Sequence, residues 1–153
     1  SLETVCDDWK RKRPPIEVKR ALLGKIATVT RTLHENGINH RDLYICHFLL
    51  DRASGVQDSD WPRLYLIDLH RAQIRRRLPR RWAVKDVAGL YFSSLDAGLT
   101  RRDLFRFMKI YRGRPLREIL QEEESFWRDV SRRAIKLYRK TFGRMPGYPA
   151  KEN

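Results

Sequence analysis

Between Pro15 and Gly37 the apolar residues Ala21, Leu22, Ile26, Val29 and Leu33 recur near a 3.6-residue period. A stretch with that spacing has one oily stripe and must lay it against something else. Pro14 and Pro15 suit the first turn of a helix, and Gly37 supplies a stop. The spacing therefore predicts one long helix over 14–37, a platform for the rest of the chain. Ahead of it, Ser1 to Trp9 is expected to form a shorter helix capped by Ser1.

Beyond the platform the chain changes in kind. Residues 38–70 hold two apolar runs, Tyr44 to Leu50 and Arg63 to Leu69, around a Ser-, Asp- and Gly-rich loop over 51–62. They predict a single strand-loop-strand hairpin with charged residues at its mouths. An irregular Arg-rich segment, 71–81, leads into a helical part over 82–144. There Val84, Val87, Ala88, Tyr91 and Leu95 face inward, and Thr100 caps the next helix with Asp103 as its capping-box partner. Pro115 opens another helix, and a last one runs from Glu122 to Phe142 and closes at Gly143. The tail, 145–153, is expected to fray. The fold class read this way is mainly α with a small β-hairpin (α+β), in one domain.

The chemistry concentrates at the hairpin mouth. His40-Arg41-Asp42-Leu43 precedes a second acid, Asp68, by 26 residues from Asp42, and Asp68 ends the apolar run Leu64-Tyr65-Leu66-Ile67. Two carboxylates at one mouth can divide labour: one receives a proton and the other holds Mg²⁺ against phosphates, as phosphoryl transfer requires. The same residues are also compatible with plain turn chemistry, because a single His-Arg-Asp has little specificity and Asp often ends a strand.

Charge narrows the partner. The chain of 153 residues carries a formal charge of +14, with 24 Arg against 9 Lys. Arg grips phosphate or carboxylate through a planar fork, so the composition points to an anionic partner. No apolar run approaches the ~20 residues that cross a bilayer, and no signal peptide is expected. Two cysteines, Cys6 and Cys46, lie far apart without a CxxC, which excludes a disulfide framework or zinc ribbon and makes a reducing cytoplasm the default. The first residue is Ser1 rather than Met, from which a fragment is expected.

Three ordered stretches bring in a family. His40-Arg41-Asp42-Leu43-Tyr44-Ile45-Cys46-His47-Phe48-Leu49-Leu50 resembles the catalytic loop of protein-kinase-like enzymes, and Leu66-Ile67-Asp68-Leu69-His70 their metal-binding loop. Tyr44 to Phe48, Ile67 to Gln73 and Lys85 to Ser93 together resemble the lipopolysaccharide core heptose(I) kinases of Gram-negative bacteria. The resemblance covers nearly the whole chain. It implies the C-terminal (large) lobe of a protein-kinase-like fold, with 1–13 as the segment after the hinge. It implies ATP as donor, Mg²⁺ as metal and a heptose hydroxyl of the inner core as acceptor. Asp42 matches the catalytic base, flanked by Arg41 and His40. Asp68 matches the metal ligand at the nucleotide, with His47 as a second candidate ligand. Leu49 matches the floor of the adenine pocket. Asp86 matches the aspartate that braces the catalytic loop, and His70 is grouped with it as support.

The departures carry information too. His47 stands where protein kinases place a metal-binding Asn, and Mg²⁺ prefers oxygen. Either a single metal suffices, or His47 acts through water or on a phosphate, or it is merely structural. Only 17 residues separate Asp68 from Asp86, and no Ala-Pro-Glu lies between them, which leaves little room for a peptide-docking platform. No Gly-rich phosphate loop and no strand Lys can be found, so the small N-terminal lobe is expected to be absent and this chain alone inactive. Arg71, Arg75, Arg76 and Arg77 come directly after Asp68 and are expected to bind the acidic acceptor glycolipid. Arg128, Arg132, Arg133, Lys136 and Arg139 share a face of the last helix, a surface first and a contact for anionic lipid or an acidic protein, such as an acyl carrier protein, second. The expected location is cytoplasmic, peripheral at the inner face of the inner membrane. The rivals are a kinase for the adjoining Kdo sugar, a metallohydrolase using His40, Asp42, His47, Asp68 and His70, and a basic nucleic-acid-binding module stacking bases on its Trp residues. No recognised nucleic-acid motif occurs, so no nucleic acid is expected as partner.

Overall fold

A computed structural model describes residues 1–53, 55, 57 and 59–147. The expected fraying of the tail therefore lies outside the described residues from 148 onward, and part of the expected loop over 51–62 does too.

Among the described residues six helices carry the fold: α1 (Leu2–Arg11), α2 (Ile16–Glu35), α3 (Arg80–Ser94), α4 (Arg101–Arg112), α5 (Leu116–Glu122) and α6 (Glu124–Phe142). Their ends obey local chemistry. Ser1 Oγ accepts from the Thr4 amide at the start of α1. Thr100 and Asp103 form the expected capping box on α4. The long helix α2 starts after Pro15 and is closed by Asn36 and by Gly37 at φ 72°. A side chain at Gly37 would put Cβ 1.8 Å from the Arg75 carbonyl oxygen, so both the turn and the close approach require glycine.

The β structure departs from the single expected hairpin. Strands β2 (Phe48–Leu50) and β3 (Leu64–Leu66) pair antiparallel as expected, with Leu49 opposite Tyr65. A second ladder joins β1 (Ile38–Asn39) to β4 (Gln73–Ile74), with Asn39 opposite Gln73. The Arg-rich segment is thus not wholly irregular: it holds a short 3₁₀ turn, Leu69–Arg71, and β4, and α3 begins at Arg80. Two-residue strands have no period to read, so only pairing at long range reveals them.

Two apolar clusters hold these parts together. One joins α2, α3, α4 and α6 through Ala27, Val84, Val87, Ala88, Tyr111, Phe126, Val130 and Ala134. The other joins α1, α2, α3 and the hairpin through Leu2, Leu22, Leu43, Ile45, Phe48 and Leu90. Phe48 is wholly buried, and burying such a ring contributes about 1.5–3 kcal/mol. Strand alternation then sorts the hairpin. Phe48, Leu50, Leu64 and Leu66 meet the second cluster, while Tyr65, Ile67 and Leu69 stay exposed on the outer side. An apolar cavity of about 220 Å³ lies between the clusters, lined in part by Leu2, Leu22, Leu90, Phe105, Met108 and Trp127. Among the described residues no helix is long and apolar enough to cross a membrane.

Candidate functional site

The loop between β1 and the hairpin is held from below by one carboxylate. Asp86, on α3, is fully buried. It accepts from the His40 amide at 2.7 Å and the Arg41 amide at 2.8 Å. Its third donor is His34 Nε2 at 3.3 Å, and His34 Nδ1 in turn accepts from the Tyr111 hydroxyl at 2.6 Å. Burial, before any neighbouring charge, pushes the Tyr111 phenol well above its ordinary value, which keeps it a donor. Buried carboxylates persist only when hydrogen-bonded in this way. Helix α3 can come this close because Gly89 faces the Leu43 carbonyl oxygen, which a Cβ would meet at 2.9 Å.

Held so, the backbone adopts unusual conformations at two points among the described residues. Arg41 and Asp68 both have left-handed φ, 76° and 64°. Such residues outside glycine cost about 1–3 kcal/mol each, and they concentrate where geometry serves a site.

His40 is also fully buried and lies beneath the surface of the site. Its Nε2 donates to the Ile67 carbonyl at 2.9 Å, tying the loop of Asp42 to the loop of Asp68. Its ring stacks on His47 with centroids 5.5 Å apart. His47 makes the second tie. Its Nδ1 donates to the Asp42 carbonyl at 2.8 Å, and its Nε2 lies 3.4 Å from Asp68 Oδ2. A carbonyl only accepts, so the Nδ1 proton is fixed. A neutral His47 then turns a lone pair toward a carboxylate, and the contact becomes attractive with a proton or a cation between them.

Each carboxylate has a further partner. Arg71 Nη1 donates to Asp42 Oδ2 at 2.8 Å, and the exposed His70 Nδ1 donates to Asp68 Oδ1. The structure thus brings Asp42, Asp68, His40, His47, His70, Arg71 and Asp86 together. Leu49 lies half-buried on β2 opposite the exposed Tyr65. Arg75 turns its guanidinium to Asn39 Oδ1 and Gln73 Oε1 and spans the second ladder. Arg76 and Arg77 are exposed. Among the described residues no group of three or more His, Cys, Asp or Glu side chains can hold a metal ion. Mg²⁺ commonly uses one or two carboxylates with waters and substrate phosphates, and Asp68 fits that habit as a single protein oxygen ligand. Residues that the sequence did not single out include His34 and Ser93, whose Oγ accepts from the Ile45 amide at 3.0 Å. His34 carried no clear sequence signal, since the burial of Thr30 one turn before it is seen only in the folded chain.

A sequence model of the Lipopolysaccharide kinase (Kdo/WaaP) family matches residues 1–111. The chain belongs to this family. It is 50% identical over 141 residues to the lipopolysaccharide core heptose(I) kinase WaaP of Escherichia coli K12, covering 92% of this chain and 53% of that protein. It is 51% identical over 137 residues to the WaaP of Pseudomonas aeruginosa, covering 90% of this chain and 51% of that protein. The chain therefore spans about half the length of these relatives. Among solved structures, WaaP in complex with acyl carrier protein matches with a TM-score of 0.82 and 51% identity, covering 90% of this chain and 56% of that one. The family is named for a kinase, and its relatives here are named as sugar kinases.

Proposed function

We propose that this chain is the large lobe of a protein-kinase-like enzyme that phosphorylates a heptose hydroxyl in the inner core of lipopolysaccharide. One observation carries the reading: His47 links the loop of Asp42 to the carboxylate of Asp68, over a base clamped by Asp86. That is the layout of a proton acceptor beside a phosphate-holding group.

In this reading Asp42 takes the proton of the acceptor hydroxyl as that oxygen attacks the terminal phosphate of ATP. The new bond is sugar oxygen to phosphorus, and ADP leaves. Arg71 fixes the Asp42 carboxylate and supplies positive charge at the transferred group. Asp68 would hold Mg²⁺, with His47 orienting that carboxylate; the ion would neutralise charge on the phosphates. Leu49 and the exposed Tyr65 and Ile67 offer an apolar floor for the adenine, which a front lobe would cover. His40 and Asp86 are struts that keep the two loops in register. Arg76 and Arg77, exposed beside the site, would meet the acidic glycolipid. The test is transfer of labelled phosphate from ATP to purified inner-core glycolipid by the full-length protein. Label found on heptose supports the reading, label on Kdo favours the neighbouring-sugar kinase, and no transfer rejects both.

The other readings have less beneath them. Trp9 and Trp127 pack against the two apolar clusters, which removes them as stacking platforms for bases. A metallohydrolase needs a ligand cluster, and the described residues hold none.

The same relatives suggest a partner. An acyl carrier protein would bring negative charge to the exposed Arg132, Arg133, Lys136 and Arg139 on α6, and its acyl chain suits the apolar cavity. Acylated carrier should raise the thermal midpoint more than carrier with a free thiol; equal shifts would reject the cavity as the acyl site. The work place consistent with this substrate is the cytoplasmic face of the inner membrane.

A further inference from the structure

Trp82, in the first turn of α3, gathers four cations. The Arg75 and Arg81 guanidinium carbons lie 5.4 Å from the centre of the Trp82 ring system, Arg41 lies at 5.6 Å, and the Lys85 ammonium lies at 5.8 Å. An indole attracts each cation through the negative face of its ring. The four charges repel one another in the same space. Among the described residues none of the four is in an ion pair. Arg75 reaches only the neutral oxygens of Asn39 and Gln73. The acid beside this knot, Asp42, is already engaged by Arg71. Within the knot itself, among the described residues, Arg41 Nε and Trp82 Nε1 are buried and have no hydrogen-bond partner. Burial, first, and repulsion from Arg41, Arg71 and Arg133 hold the Lys85 ammonium below its ordinary value, against the attraction of Asp42.

Positive charge so concentrated and so poorly compensated calls for an anion. Position says which one. Arg41 is the residue before Asp42, and the Asp42 carboxylate acts electrostatically on Lys85, so the knot adjoins the proton-accepting carboxylate. Asp68, where the nucleotide phosphates would sit, has His47 and His70 as its neighbours. We propose that Arg41, Arg81 and Lys85, seated on Trp82 beside Asp42, bind an oxyanion of the acceptor glycan itself, a carboxylate or phosphate close to the reacting hydroxyl. The inference rests on the kinase reading and deepens it. It makes the acid on the substrate part of how the sugar is recognised, through charge-assisted hydrogen bonds.

The test is equilibrium binding of purified inner-core glycolipid to the full-length protein without ATP. Three acceptor forms are compared: native, carboxyl-reduced and phosphatase-treated. Arg81 is exposed and Lys85 half-buried, so Arg81→Gln and Lys85→Gln are expected to fold, which the thermal midpoint checks. Each variant should weaken binding of native acceptor by about tenfold, the loss of one charge-assisted contact. Removing one class of acid should weaken wild-type binding similarly, which tells carboxylate from phosphate. Variant and acid-free acceptor together should lose little more than either alone. Unchanged affinity in both variants, or an equal loss on all three acceptors, would overturn the site. Loss of phosphate transfer with this binding pattern intact would instead count against the kinase reading alone.

Discussion

The guanidinium of Arg71 donates to the carboxylate of Asp42, Nη1 to Oδ2 at 2.8 Å. Arg71 is about half exposed, and an ion pair that open contributes little to stability. Its effect is on position: it engages one oxygen of the Asp42 carboxylate, and in the proposed reaction the other oxygen would face the acceptor hydroxyl.

Arg71→Ala in the full-length enzyme is therefore expected to leave stability within about 0.5 kcal/mol and to lower kcat by about tenfold or more. Asp42→Asn should lower kcat by about 10²–10⁴, as loss of a general base does, with ATP affinity retained. Steady-state kinetics and nucleotide binding on the two variants check both. Near-normal turnover in Asp42→Asn would remove it from the chemistry.

Asp86 predicts a different signature. Its removal strands the buried His40 amide and the part-buried Arg41 amide, and a buried unsatisfied donor costs about 1–3 kcal/mol. Asp86→Ala should thus destabilise the protein by about 2–5 kcal/mol, read by denaturant unfolding. A stable Asp86→Ala protein would mean that the loop does not depend on this clamp.

Asp68 is more than a third exposed, and its partners are His47 and His70. Asp68→Ala should fold normally, yet need several-fold more Mg²⁺ and ATP for half-maximal turnover. A magnesium titration decides, and an unchanged midpoint would exclude Asp68 as the metal ligand.

Acid should reach the fold through Asp103. Burial works to raise its pKa, but the Lys19 ammonium and the Thr100 cap outweigh that and hold it below the usual carboxylate value. A depressed value in the folded state means that the unfolded chain binds the proton first. The stabilisation is present above the unfolded carboxylate value, about 4, and is lost as pH falls through the lower folded value. Thermal midpoints of wild type and Asp103→Asn should therefore converge on acidification below pH ~4. A constant gap down to strong acid would show that this pair plays no part.

Local signals made much of this protein legible. The boundaries of α2 obey Pro15 and Gly37, and the α4 cap obeys Thr100 and Asp103, because caps and periodicity act over one or two turns. Asp42 and Asp68 stood out for the same reason: each belongs to a short contiguous pattern. The second ladder did not, since Ile38–Asn39 and Gln73–Ile74 are too short to show alternation. Arg75 stood among neighbours expected to meet substrate, yet its hydrogen bonds go to Asn39 and Gln73. A run of like residues does not reveal which of them turns inward.

The amino-acid sequence alone thus determined the helices, the principal hairpin and the identity of the two acids, since nearest neighbours along the chain encode each of these. Only the folded chain decided what those acids touch. His34 meets Asp86 across 52 positions, His40 meets it across 46, and Arg71 meets Asp42 across 29. Such pairings depend on how α2, α3 and the loops pack around shared apolar clusters, and no local pattern carries that arrangement.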